Sequence, residues 1–158
     1  LEGCKMFKEK NFYGSDFVRS SVKLVNEISK KFNLNLQSEL FDFVNPNFQY
    51  EIKKNSLVCT FGALEQVKSN FLPFINFLRK KRPDIVLHTE PVKELYNLNN
   101  FFDYTAHLFH SKRGYTEGLL PHLQELEKKD EIEILKIQRL YFGSLMMEGF
   151  NLIVWRFK

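Results

Sequence analysis

Two stretches near the C-terminus, Ile132-Glu-Ile-Leu-Lys-Ile-Gln-Arg-Leu140 and Asn151-Leu-Ile-Val-Trp-Arg-Phe157, decide the fold. Both are rich in β-branched and aromatic residues and read as strands. Only about ten residues separate them, among them Gly143, Ser144 and Gly149, and these carry no helical pattern. Such a link is short for a parallel crossover but permits antiparallel pairing. Everything upstream alternates strand and helix, so the chain predicts a parallel sheet closed by an antiparallel pair.

Working outward, Asn11 to Asp16 is a short strand, and Phe17 to Phe32 carries Val18, Val22, Val25, Ile28 and Phe32 at helical spacing. Ser15 or Asp16 is the N-cap expected for that helix. Leu36 to Phe43 reads as a strand closed by the turn Asn45-Pro46-Asn47. Leu57 to Phe61 is a continuous apolar run ended by Gly62, and Ala63 to Arg82 is helical, with Pro73 marking a kink or short break. Pro83 stops it, and Asp84 to Thr89 is a further strand before Glu90-Pro91. Helices are expected over Asn99 to Lys112 and Thr116 to Lys129. The pattern predicts an α/β domain whose mainly parallel sheet is covered on both faces.

A chain of 158 residues suits one domain with one core, and 17 Phe supply ample apolar surface to bury. The net charge of +4 is scattered among 19 acidic residues. Its densest cluster, Arg79 to Arg82, sits where a helix ends and complements the helix dipole, so nucleic acid is not implied. The two cysteines, Cys4 and Cys59, have no metal-ligand spacing, and Cys59 is expected to be a buried free thiol. No apolar run approaches the ~18 residues of a membrane span. These features predict a cytoplasmic protein in a reducing compartment, with no membrane partner and no metal.

Open α/β sheets bind ligands beyond the carboxyl ends of their strands. The first strand delivers Ser15 and Asp16. A carboxylate there can accept both hydroxyls of a ribose, or it can simply cap the next helix. The second delivers Asp42 and Phe43, either an adenine contact or a turn. The third delivers Thr60, Phe61 and Gly62, with Glu65 and Gln66 in the following helical turn, where acidic residues also suit the dipole. The fourth delivers His88 and Glu90; His88 is a base or a hydrogen-bonded core histidine. Arg113 and Tyr115, on a loop between helices, can grip a sugar hydroxyl or an anion, or cap and staple the helices.

These residues resemble a known family. Tyr13-Gly-Ser-Asp16, Asn55-Ser-Leu-Val-Cys-Thr-Phe-Gly-Ala-Leu-Glu-Gln-Val67, His88-Thr-Glu-Pro91, Arg113-Gly-Tyr115 and Leu152-Ile-Val-Trp-Arg156 look like class I S-adenosylmethionine-dependent methyltransferases, most of all the bacterial putative sugar O-methyltransferases. The resemblance implies a Rossmann-like methyltransferase sheet lacking its first strand, over a single N-terminally truncated domain spanning residues 1–158. It implies S-adenosylmethionine as cofactor, with Ser15 and Asp16 at the ribose, Asp42 and Phe43 at the adenine, and Thr60, Phe61 and Gly62 lining the cofactor near its reactive methyl. Glu65 and Gln66 then face the acceptor pocket.

The family's glycine-rich loop is missing, since Leu1 to Phe7 looks like the tail of a first helix and Gly3 alone cannot supply it. The expected function is methyl transfer to a small-molecule acceptor such as a sugar hydroxyl, with Glu65 or His88 as base, Glu90 orienting, and Gln66, Arg113 and Tyr115 binding the acceptor. Two alternatives stay open: a non-catalytic methyltransferase-like scaffold, and a sugar-nucleotide enzyme on a wholly parallel sheet. Loss of the first strand also leaves an exposed sheet edge for self-association.

Overall fold

A computed structural model describes residues 2–144 and 147–158, with side chains described outside 142–149. The chain divides into two compact units, Leu1–Tyr50 and Glu51–Lys158.

The first unit holds α1 (Glu2–Met6), β1 (Phe12–Asp16), α2 (Arg19–Phe32) and β2 (Leu36–Leu40). β1 and β2 pair in parallel, Phe12 opposite Leu36 and Asp16 opposite Leu40. Polar side chains tie the crossover helix to the strand: Asn26 exchanges two hydrogen bonds with the Ser38 backbone at 2.8 and 2.9 Å, and the single Ser29 hydroxyl proton lies between Leu36 O at 2.6 Å and Leu34 O at 3.0 Å. Asn33, in the left-handed region at φ 49°, ends α2 by turning its N–H back onto the last carbonyls. The expected cap at Ser15 or Asp16 is displaced, because the helix starts later. Val18 takes the N-cap position without a side-chain bond, and Asp16 Oδ1 instead accepts from Val18 N at 2.8 Å. The second strand also stops at Leu40, short of Phe43.

The second unit holds β3 (Leu57–Phe61), a 3-10 turn (Leu64–Val67), α3 (Leu72–Lys81), β4 (Ile85–Glu90), a second 3-10 turn (Lys93–Leu95), α4 (Phe101–Arg113), α5 (Leu119–Lys128), β5 (Ile132–Ser144) and β6 (Met147–Phe157). The break expected at Pro73 is real: the segment splits, and the proline falls in the first turn of α3, where its missing N–H costs nothing. Asn100 caps α4 by accepting from Phe102 N and Asp103 N, and Gly114 at φ 68° closes it. Thr116 lies outside the next helix, which begins at Leu119 after Gly118 at φ 87°.

The sheet order is β3-β4-β6-β5. β3 and β4 run parallel, while β6 is antiparallel to both β4 and β5. The terminal antiparallel pair is therefore present, and it extends beyond the two stretches that predicted it. Residues expected to link them continue as strand to Ser144 and from Met147.

One sheet face carries the core. Val86, Ile153 and Trp155 are 0% exposed, as are Ile75 and Leu78 of α3 and Leu123 of α5. Each such aliphatic side chain contributes about 1.5–3 kcal/mol of burial. The other face is not covered as the sequence predicts. Leu57 is 53% and Phe61 66% exposed, and Cys59 between them is exposed rather than buried. Alternation along β3 puts these three on the face opposite buried Thr60, so a continuous apolar run here does not mean burial on both sides.

Candidate functional site

In the first unit, parallel pairing brings Asp16 and the residues after β2 to the same end of the sheet. Asp16 Oδ2 has no partner among the described residues and remains available as an acceptor. The Ser15 side chain bonds the Tyr50 hydroxyl, and the Tyr50 ring packs edge-on to buried Phe41, with Phe43 on another side of it. Asp42 is a turn residue: its two oxygens accept from Val44 N at 2.8 Å and Asn45 Nδ2 at 3.3 Å.

In the second unit, the carboxyl ends of β3 and β4 build one connected network. Gly62 turns the chain at φ 55° and donates to Thr89 O. Glu90 is 2% exposed. Its Oε1 accepts from Ala63 N at 3.3 Å and Leu64 N at 3.2 Å, and its Oε2 from Glu65 N at 3.1 Å. The Thr60 hydroxyl also bonds Glu90, while Thr60 Oγ1 lies 2.9 Å from His88 Nδ1. An ionised Glu90 only accepts, so the Thr60 proton points to it and the Thr60 oxygen accepts from His88 Nδ1–H. With the proton so placed, His88 carries its hydrogen on Nδ1 and its Nε2 is bare. That Nε2 is buried and unbonded, and burial holds the imidazole down to about 3. His88 thus has the surroundings of a neutral core histidine, not of an accessible base. Burial pushes the Glu90 carboxyl up, and its hydrogen bonds pull it part of the way back.

Glu65 differs from both. It is half-buried, and burial together with the neighbouring Glu90 charge raises its carboxyl to about 7, against a lowering hydrogen bond from Tyr115. A group poised there exchanges a proton at neutral pH. Beside it lies a cavity of about 10 Å³, between Glu65, Glu90, Val92, Thr116 and Leu119, which is room for one water. A larger hollow of about 570 Å³, at Arg82, Asp84, Arg156 and Lys158, lies at the opposite end of the strands and contains none of the expected site residues.

The remaining expected residues sit at the rim. Gln66 is exposed and donates to Gly62 O at 3.2 Å. Exposed Arg113 stacks on Phe109 with its guanidinium carbon 5.3 Å from the ring centroid. Tyr115 stacks on buried His110, 5.4 Å between centroids. Three features escape sequence reasoning. Thr116 is buried and bonds Leu64 O and Glu65 O. Asn151 is 0% exposed and lies opposite Glu90 in the β4–β6 ladder. Asp103 holds Arg139 through two bonds of 2.7 and 2.8 Å. An Asn heading an apolar strand run was the one available signal; the other partners are distant in sequence. Among the described residues no three His, Cys, Asp or Glu come together to hold a metal, and no helix is long and apolar enough to cross a membrane.

No protein-family model and no curated protein matches the sequence. Solved structures do match. A SAM-dependent methyltransferase from Methanosarcina mazei superposes with a TM-score of 0.68 at 10% identity, over 99% of this chain and 86% of its own. The 16S rRNA methyltransferase RmtF, in complex with S-adenosyl-L-homocysteine, gives 0.56 at 12% identity over 99% of this chain, which spans only 52% of it. A pericyclic reaction enzyme gives 0.59 at 9% identity, over 99% of this chain and 39% of its own. At these identities the likeness shows the fold, and this α/β chain with its mixed sheet has the Rossmann-like fold of the SAM-dependent methyltransferases.

Proposed function

We propose that this chain belongs to an S-adenosylmethionine-dependent methyltransferase acting on a small-molecule hydroxyl, such as that of a sugar, in the cytoplasm. The observation that carries the reading is Glu65, a carboxyl raised to about 7 at the carboxyl ends of parallel strands in a methyltransferase-type fold. Both compact units fall within the stretch shared with each structural neighbour, which supports reading residues 1–158 as one methyltransferase-like domain.

The residues present fit the cofactor in part. Asp16 keeps a carboxylate oxygen available at a strand end, which suits a ribose diol, and Ser15 lies beside it. Phe43 offers a half-buried ring for adenine, with Asp42 beside it. Thr60, Phe61 and Gly62 form the strand end where backbone can approach a ligand. When bound, S-adenosylmethionine supplies an electrophilic methyl group. The chain's own task is then to position the acceptor and remove its proton. Glu65 takes that proton, Glu90 orients Glu65 through its backbone N–H, and Gln66, Arg113 and Tyr115 line the acceptor side.

A second reading, a non-catalytic binding scaffold, is favoured by the exposed Leu57, Cys59 and Phe61 face. The fold alone does not separate the two. The sugar-nucleotide alternative expects an all-parallel sheet end, and β5 and β6 are antiparallel. Calorimetric titration of S-adenosylhomocysteine into the full-length protein tests the proposal. Binding that Asp16→Ala weakens at least about tenfold supports it, since charged hydrogen bonds are each worth about 1.5–3 kcal/mol. No binding by the unmodified protein overturns it in favour of the scaffold.

A further inference from the structure

Glu65 stands on a 3-10 turn of four residues, Leu64–Val67. A single such turn has too few internal bonds to hold its own shape. Its geometry is imposed from outside, at both ends. Glu90 takes the N–H groups of Ala63, Leu64 and Glu65. The opposite polarity is satisfied by one residue, Thr116: its Oγ1 donates to Leu64 O at 2.6 Å and its N–H to Glu65 O at 2.9 Å. Thr116 is 5% exposed, so neither bond is exchanged readily for water.

The segment that delivers Thr116 is itself fixed. Gly114 and Gly118, both at positive φ, bracket three residues that each bond a group outside the loop. Tyr115 bonds the Glu65 carboxyl, Thr116 the Glu65 backbone, and Glu117 reaches Lys93 Nζ at 2.7 Å. Gly118 N donates to Glu94 Oε1 at 2.6 Å.

We propose that Thr116 is a positioning residue that holds Glu65 in its half-buried place, while Tyr115 tunes its acidity. The proposal rests on Glu65 being the base. The groups facing Glu65 are Glu90 from β4, Tyr115 from the loop and Glu94 across the cavity; the Lys68 stem lies against Gly114, and His110 backs the Tyr115 ring. The two residues therefore act on Glu65 with opposite signs. Without the Thr116 hydroxyl the turn keeps only the residue-116 N–H bond to Glu65 O and loosens, so the carboxyl reaches water and moves away from Glu90, which makes it a stronger acid. Without the Tyr115 hydroxyl the carboxylate loses a donor and becomes a weaker one.

The test is a ¹³C-carboxyl NMR titration of the folded chain, with the Glu65 signal assigned by its loss in Glu65→Gln. Thr116→Val should lower the Glu65 midpoint by about one unit or more, Thr116→Ser should preserve it, and Tyr115→Phe should raise it. Should Thr116→Val not fold, as judged by Trp155 fluorescence, Thr116→Cys takes its place: a weak donor of similar size, expected to lower the midpoint by less. A folded Val or Cys variant with the unmodified midpoint overturns the proposal, as does Thr116→Ser behaving like Val. The titration needs neither cofactor nor acceptor. Failure of S-adenosylhomocysteine binding would overturn the methyltransferase reading and leave this result standing.

Discussion

Glu90→Ala should destabilise the second unit by about 2–4 kcal/mol, although Glu90 is a buried carboxyl whose own burial is unfavourable. The variant strands the N–H groups of Ala63, Leu64 and Glu65. Leu64 N is buried and bears the full penalty of about 1–3 kcal/mol; the other two are half-buried and recover part of theirs from water. The Thr60 hydroxyl also loses its acceptor, and the lost side chain leaves a small void. Against this stands the relief of no longer burying a charge, which keeps the total below the plain sum. Glu90→Gln should cost only about 1–2 kcal/mol: its one oxygen still serves Ala63 and Leu64, while its amide meets the Glu65 N–H donor to donor. Trp155, the single tryptophan, is 0% exposed in β6 and reports this unit alone, so urea unfolding followed by its fluorescence gives the difference. A loss below about 1 kcal/mol for the alanine variant, or glutamine costing as much as alanine, would refute the view that Glu90 is ionised and organises the turn.

Under the proposed methyl transfer, Glu65→Gln should reduce turnover by about 10²–10⁴-fold, and the unmodified rate should rise with pH through about 7 as Glu65 ionises; a flat profile would exclude Glu65 as the base. The same raised carboxyl binds its proton more tightly folded than unfolded. Stability should therefore fall as pH rises from the ordinary carboxylate range through about 7, and Glu65→Gln should flatten that slope in pH-dependent unfolding. Gly62→Ala places a side chain at φ 55° with its Cβ 3.2 Å from the Phe150 ring, and should cost about 1–3 kcal/mol by thermal unfolding. Arg139→Ala leaves the buried Asp103 carboxylate without its two-pronged partner and should cost about 3 kcal/mol. The double variant with Asp103→Asn should cost less than the two single losses together.

The fold was legible because its decisive features are local. Strand and helix periods along 57–90 and the short link between Leu140 and Asn151 need no long-range information; β3, β4 and the antiparallel end fall where they predict, and the helix expected over Ala63 to Arg82 is kept from Leu72 on. Local signals mislead where they are ambiguous. A run such as Leu57-Val-Cys-Thr-Phe61 looks alike whether one face or both are covered, so Cys59 was expected inside and lies outside. The sequence places a helix from Thr116, but Gly118 at positive φ sets its start at Leu119.

The site was legible as residue types and not as roles, and His88 and Glu65 show why. In sequence, Glu65 and His88 stand as alternative bases, each with a plainer reading beside it: a charge suited to the helix dipole for Glu65, a hydrogen-bonded core histidine for His88. The structure gives the two different surroundings through one parity. Thr60 and His88 share the buried sheet face in parallel register, so the imidazole meets a hydroxyl and apolar core, and burial holds it neutral. Glu65 stands beyond the strands on a turn anchored by Glu90, 25 residues away, and by Thr116, 51 residues away. What makes it a candidate base is therefore neither its type nor its position in the chain. It is the closeness of a second buried carboxyl and a tyrosine hydroxyl, which only the folded strand order and the α4–α5 loop bring together.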